Sequence, residues 1–279
     1  MPSLASPGLS LSAAISWGAA DFSGGIAAKN TNVFSVVAAA HAVGLAFMLS
    51  LAVLFEEPIP HSTSLGWAVV AGLVGGIGLA AFYKALAVGK MGINAPLASV
   101  ITAVLPLLFG FWTEGLPHAL QLIGFVLALV SIWLVTMQRS ATGRSRGLGL
   151  AVVAGVGFSG FLLFIRLAGP EAVFWPLVAA RTASFLLMST VILTRDRGWK
   201  PNQAAVPYIL LAGILDSGAN ALYLAAAQRG RLDVAAVLSS LYPASTVILA
   251  RLVLKERLSG MQNAGMAGAL IAVLLIAAR

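Results

Sequence analysis

Cysteine is missing from all 279 residues, which excludes disulfides, thiolate metal sites and a cysteine nucleophile. Charge is almost as scarce. Asp, Glu, Lys and Arg make up 9% of the chain, where an ordinary soluble domain carries roughly 25%. A water-soluble surface cannot be built from so few charges. Acids are the rarest of all, nine against 17 Lys and Arg, and histidine occurs three times. Reactive combinations are absent too. There is no His-Glu-x-x-His zinc motif, no Gly-x-Ser-x-Gly elbow with a histidine partner and no paired-acid magnesium motif, so an intramembrane enzyme is disfavoured. The residues call for no cofactor and no metal. The net charge of +8 comes from Lys and Arg scattered through short turns, without a basic helix or aromatic-basic platform, so nucleic acid is not expected as a partner. The surplus fits loops facing lipid headgroups.

What the chain has in abundance is apolar length. Hydrophobic residues reach 59% and the mean hydropathy is +0.96. A bilayer span needs about 20 mostly apolar residues, and ten such stretches follow one another: Leu9 to Ala28, Val33 to Phe55, Leu65 to Ala87, Ile93 to Trp112, Ala119 to Met137, Leu148 to Leu167, Ala172 to Thr194, Ala204 to Ala227, Val234 to Leu254 and Gly260 to Ala278. Breakers such as Glu56-Glu57-Pro58, Gly115-Leu116-Pro117 and Gly169-Pro170 separate them. The first stretch is too long, and its flank too poor in Lys and Arg, for a cleaved signal peptide, so it is expected to stay. The expectation is an all-α integral membrane protein.

The two halves repeat each other. Gly89-Lys90-Met91 answers Gly230-Arg231-Leu232, Gln121 answers Gln262 and Gly124 answers Gly265, each 141 residues apart. Gly18 and Phe22 answer Gly157 and Phe161 at 139, and His41 answers Arg181 at 140. The expected division is 1–137 for the first five-helix repeat, a basic linker at 138–147, and 148–279 for the second. Five is odd, so the second copy must enter the membrane upside down. Inverted repeats of this kind place a binding site near the midplane, where the halves meet.

Certain residues carry a further likeness. Trp17-Gly18-Ala19-Ala20-Asp21-Phe22, and the run from Leu238 through Tyr242-Pro243 to Leu254-Lys255-Glu256-Arg257-Leu258-Ser259, resemble the drug/metabolite transporter superfamily in its ten-helix branch of paired EamA-type repeats. Arg181 stands where these repeats often carry an arginine. The first half departs from the pattern, with Trp112-Thr113-Glu114-Gly115 in place of the Glu-Arg turn and His41 in place of the arginine. The resemblance implies a multi-pass protein of the bacterial inner membrane that moves a small molecule by alternating access. Neutral or aromatic amino acids come first among the substrates, with drugs or other small metabolites as the alternative. Its partners would be that solute and membrane lipids, and its state a monomer or homodimer.

Ionisable groups at membrane depth mark candidate sites, because burying one there costs at least about 2.5–3.5 kcal/mol. Seven of the nine acids fall in or beside turns, and Glu57 among them is expected to matter little. Asp21 and Asp216 remain. Asp216, Asn220 and Tyr223 share a helical face, as do Trp17 and Asp21. Indole and carboxylate together suit a substrate amine, and Arg181 suits a carboxylate. The bland alternatives are a packing tryptophan and a structural ion pair. Asp21, His41 and Asp216 are candidates for proton coupling. Tyr83, Ser99, Thr102, Phe158, Phe161, Ser239 and Tyr242 are candidate lining residues, although most such residues in a membrane bundle merely pack or bond to backbone. A channel would show repeated filter residues, and a passive structural subunit has little reason to bury two acids and an arginine.

Orientation receives two opposed implications. Ten Lys and Arg fall in turns on one face (Lys29, Lys90, Arg139, Arg144, Arg146, Arg195, Arg197, Lys200, Lys255, Arg257) and four on the other (Arg166, Arg229, Arg231, Arg279). The positive-inside rule then sends both termini outward, whereas the superfamily resemblance implies cytoplasmic termini.

Overall fold

Where water is absent, every backbone N–H and C=O must be satisfied within the chain, and a continuous helix does this. The computed structural model describes residues 5–89, 91–136, 147–194, 202–254 and 260–277, and contains no strand among them. Its helices are α1 (Ala5–Asn30), α2 (Val33–Leu54), α3 (Ser62–Val88), α4 (Met91–Glu114), α5 (Ala119–Thr136), α6 (Leu148–Leu167), α7 (Phe174–Thr194), α8 (Val206–Arg229), α9 (Leu232–Ser239), α10 (Tyr242–Leu254) and α11 (Gly260–Ala277). Five of the ten spans, α2, α3, α6, α7 and α8, are long and apolar enough to cross a membrane by themselves. The shortest unbroken ones, α5 and α11, have 18 residues, about 27 Å at 1.5 Å per residue. Most of the expected basic linker and the Lys255–Ser259 turn lie outside the described residues.

Serine and threonine are tolerated inside these helices because the hydroxyl bonds to the carbonyl four residues back. Ser23 donates to Ala19, Thr102 to Ala98, Thr182 to Val178 and Ser189 to Phe185, all at 2.7–2.8 Å. The surface is apolar: Ile15, Val53, Leu108, Val126, Val153, Leu186 and Leu252 stand exposed. Such a face suits lipid contact and no aqueous one.

Small residues set the packing. Gly72 and Gly76 of α3 lie against Ala180 and Ser184 of α7 with no room for a Cβ, so α3 and α7 run parallel. Gly44 of α2 meets Ser217 of α8, and Gly213 of α8 meets Ala40 of α2, so that pair is parallel too. The two contacts are images of each other, since Gly44 corresponds to Ser184 and Gly76 to Ser217. Likewise α1 packs on α8 as α6 packs on α3, while α2 meets its counterpart α7 and α5 meets its counterpart α11. Consecutive spans α2 and α3 are antiparallel and α3 is parallel to α7, which makes α2 antiparallel to its own counterpart. The repeats are therefore inverted about a pseudo-two-fold axis in the membrane plane.

One expectation is corrected. The ninth span is not a single helix: it breaks into α9 and α10 at Ser240-Leu241. Pro243 lacks an N–H, and the N–H of Ala244 bonds back to Leu241 at 3.0 Å, which leaves the Ser240 carbonyl without its helical donor. The hydroxyl of Ser99 supplies one at 2.8 Å. Ser99 and Ser240 are 141 residues apart, so each occupies the other's position in the opposite repeat.

Candidate functional site

Trp17 and Asp21 are one turn apart on α1, Arg181 and Ser184 one turn apart on α7, and Asp216 and Asn220 one turn apart on α8. Inversion brings these three faces around a common space near the middle of the spans. The cavity is partly open, with about 600 Å³ of empty space including the solvent at its mouth, and its walls are completed by His41, Thr102, Phe158, Phe161, Leu162 and Tyr242, with Leu79, Gly72, Gly75 and Gly76 of α3.

Its polar groups are few and unevenly matched. The Arg181 guanidinium meets the Asp216 carboxylate at 2.5 Å, with side-chain exposures of 7% and 14%. Such a pair offsets the cost of burying either charge alone. Nδ1 of His41 shares a 2.6 Å hydrogen bond with the Ser184 hydroxyl, while its Nε2 is buried with no partner among the described residues. Asp21 is 6% exposed and takes part in no hydrogen bond or ion pair among the described residues, although it is close enough to Asp216 for the two charges to interact. The Tyr242 hydroxyl, at the broken end of α10, is also buried and unpartnered. With both acids ionised, two negative charges face one guanidinium. The cavity then carries one negative charge in excess, and it is centred on Asp21.

Aromatic rings hold this arrangement. The Trp17 indole lies against Tyr223 with ring centres 5.8 Å apart and meets Tyr242 edge-on at 6.5 Å. Phe158 and Phe161 contribute the opposite apolar wall.

Of the sequence candidates, Trp17, Asp21, His41, Thr102, Phe158, Phe161, Arg181, Asp216, Asn220 and Tyr242 share the cavity, and four do not. Tyr223 shares a helical face with Asp216 but is fully buried behind Trp17, its hydroxyl directed to the Leu162 carbonyl at 3.4 Å. Tyr83 packs against Gly24 of α1, which has no room for a Cβ. Ser99 is spent on the helix break, and Ser239 donates to the Ser10 carbonyl at 3.2 Å. Sequence reasoning missed Leu79, Leu162, Ala180 and Ser184. Ser184 carried one signal, its correspondence to Gly44, but a serine in place of a glycine is too common a change to read. Two acids lie in or beside turns, as expected, but make contacts that the sequence did not reveal. Asp233 is completely buried and binds both Arg231, at 2.7 Å, and the Val234 N–H. Glu57 caps α7, accepting the N–H groups of Val173, Phe174 and Trp175 at 2.8–2.9 Å. Among the described residues no group of acids and histidines is placed to hold a metal ion.

An all-helical bundle of inverted repeats around a sparsely polar midplane cavity is the architecture of a secondary membrane transporter. The EamA-like transporter family model matches twice, over residues 7–137 and 145–278, and the chain belongs to that family. It is thus a multi-pass membrane transporter of small molecules. One solved crystal structure superposes with a TM-score of 0.78 over 97% of this chain and 95% of its own, at 15% sequence identity, a likeness of fold alone. No curated protein matches the chain in sequence.

Proposed function

We propose that this transporter exports small zwitterionic metabolites, neutral or aromatic amino acids first among them, across the bacterial inner membrane by alternating access. The observation that carries the reading is the unpartnered Asp21 carboxylate, which shares a mostly apolar cavity with the Trp17 indole and the Arg181–Asp216 pair. A substrate amine satisfies Asp21 and gains cation–π attraction from the indole. A substrate carboxylate competes with Asp216 for the planar guanidinium, which can bind it through two N–H groups. Phe158, Phe161 and Tyr242 receive an apolar or aromatic side chain.

Charge balance supports a coupling ion. A zwitterion adds no net charge and leaves the excess negative charge in place, whereas a proton on Asp21 removes it. Asp21 thus holds either a proton or the substrate amine. Two ligands that exclude each other from one group give antiport, with protons entering as substrate leaves. His41 lies beside the same cavity and is the second candidate for the proton path.

A second reading rests on the same excess charge. Because Arg181 is already engaged by Asp216, an organic cation without a carboxylate fits without breaking the ion pair, which is the drug-exporter alternative. Counterflow in proteoliposomes separates the two. Radiolabelled phenylalanine moving faster than phenethylamine supports the amino-acid assignment; the reverse order supports the cation reading, and movement of sugar phosphates alone contradicts both.

A further inference from the structure

At one end of the bundle a side chain of the first repeat makes a multiply hydrogen-bonded contact with the second, beside the smaller Arg231–Gly115 and Ser6–Ala226 links. Glu57 follows α2 in a tight C-terminal turn: the N–H of Glu57 bonds to Ala52 and that of Glu56 to Val53, at 3.0 and 3.1 Å. The pattern requires a left-handed residue just before Glu57. Glycine usually fills that position, but here it is Glu56, with φ of +48°. A side-chain-bearing residue in this region stores conformational strain, and the turn it closes fixes where Glu57 points.

It points at the N-terminus of α7, in the other repeat. The first N–H groups of a helix have no intrahelical acceptor and carry the positive end of the helix dipole. One Glu57 carboxylate oxygen takes Val173 and the other takes Phe174 and Trp175. The Trp175 indole N–H donates to the Glu57 carbonyl at 2.7 Å, and the Phe55 and Phe174 rings stack with centres 5.6 Å apart. Four hydrogen bonds, three of them to a carboxylate and so charge-assisted, are concentrated in one contact between halves that must move against each other. Arg181 lies seven residues further along α7, about 10 Å at 1.5 Å per residue. A displacement of the α7 N-terminus therefore reaches the cavity through the same rigid helix.

We propose that the Glu57 clasp is a gate: closed in this structure, it seals the cavity from the face bearing the Glu57 turn, and it must release in each transport cycle. Partly exposed hydrogen bonds at a helix terminus suit this role, because water can replace them as the gate opens. The proposal rests on the alternating-access reading but is independent of what the substrate is.

The lack of native cysteine makes the test direct. A single cysteine placed in the cavity by Thr102→Cys is labelled with a membrane-impermeant maleimide, applied in turn to each face of sealed vesicles. Adding Glu57→Ala is expected to raise labelling from the Glu57 face about tenfold and to lower it from the opposite face, as a tenfold shift between two conformations requires. Glu57→Gln, which keeps an acceptor oxygen, should fall between. Trp175→Phe, which removes only the indole bond, gives a smaller change of the same sign and decides the matter should Glu57→Ala not fold. Labelling that is unchanged, or raised equally from both faces, overturns the gate. The readout needs no substrate, so its failure is distinct from failure of the amino-acid assignment.

Discussion

Arg181 on α7 and Asp216 on α8 form an ion pair at 2.5 Å in the wall of the cavity, and neither residue has a charged counterpart in the other repeat: His41 answers Arg181, and Gly75 answers Asp216. The pair is thus an asymmetric addition to a symmetric scaffold. Removing one partner of a buried pair costs about 3–5 kcal/mol, whereas replacing both by apolar groups is often neutral. Arg181→Leu and Asp216→Leu are each expected to lower thermal stability in detergent, and the double variant to recover most of the loss while transport stays absent. A double variant as unstable as either single would mean that the two side chains do not act as a pair.

Asp216→Asn separates charge from shape. The amide fills the same space and still accepts from Arg181, so the protein should fold with a modestly lower melting temperature. Transport should fall at least about tenfold, equivalent to about 1.4 kcal/mol if the loss is in the rate. Normal transport by a folded Asp216→Asn protein would reduce the pair to a structural element. Glu57→Gln is unsuitable as a silent control because of its contact with α7; Glu171, exposed in a turn, serves instead.

Two glycines of α3 offer a matched test of packing. Gly72 lies directly against the Ala180 carbonyl of α7, whereas a Cβ on Gly66 would meet nothing within 4 Å. Gly66→Ala should raise stability by about 0.5–1 kcal/mol, the usual gain of alanine over glycine within a helix. Gly72→Ala must push α7 away and should abolish folded protein or sharply lower its melting temperature. Equal tolerance at both positions would contradict the parallel α3–α7 packing that establishes the inversion.

Orientation can be read from a terminal reporter. The spans expected from the sequence put ten Lys and Arg on one face and four on the other, which by the positive-inside rule places both termini outside the cytoplasm. A C-terminal alkaline phosphatase fusion should then be active and a green fluorescent protein fusion dark. The opposite result would reverse the charge argument and place the Glu57 clasp on the cytoplasmic face.

Much of this architecture was legible because membranes punish exceptions. Asp21, Arg181 and Asp216 stood out since an ionisable side chain at that depth needs a reason, and the duplication surfaced where both copies kept a glycine or glutamine at constant spacing. What stayed hidden depended on contacts between distant parts of the chain. Helical periodicity placed Tyr223 with Asp216 but could not say how much of that face Trp17 would cover. Pro243 announced an irregularity; whether it would kink the helix or break it depended on Ser99, 141 residues away, offering a donor to the Ser240 carbonyl. Glu57 looked like an ordinary turn acid, because nothing local reveals that the start of α7 lies against it.

If Asp21 holds the substrate amine and a proton in turn, its charge governs counterflow of radiolabelled phenylalanine into proteoliposomes preloaded with the unlabelled amino acid, measured for the native protein and for Asp21→Asn. The native protein should show trans-stimulated uptake that is accelerated by an opposing proton gradient. In Asp21→Asn, folded and equally abundant, uptake should drop at least about tenfold and its response to the gradient should vanish. Native protein that shows no counterflow, or an Asp21→Asn protein that keeps both the rate and the gradient response, would contradict this role of Asp21.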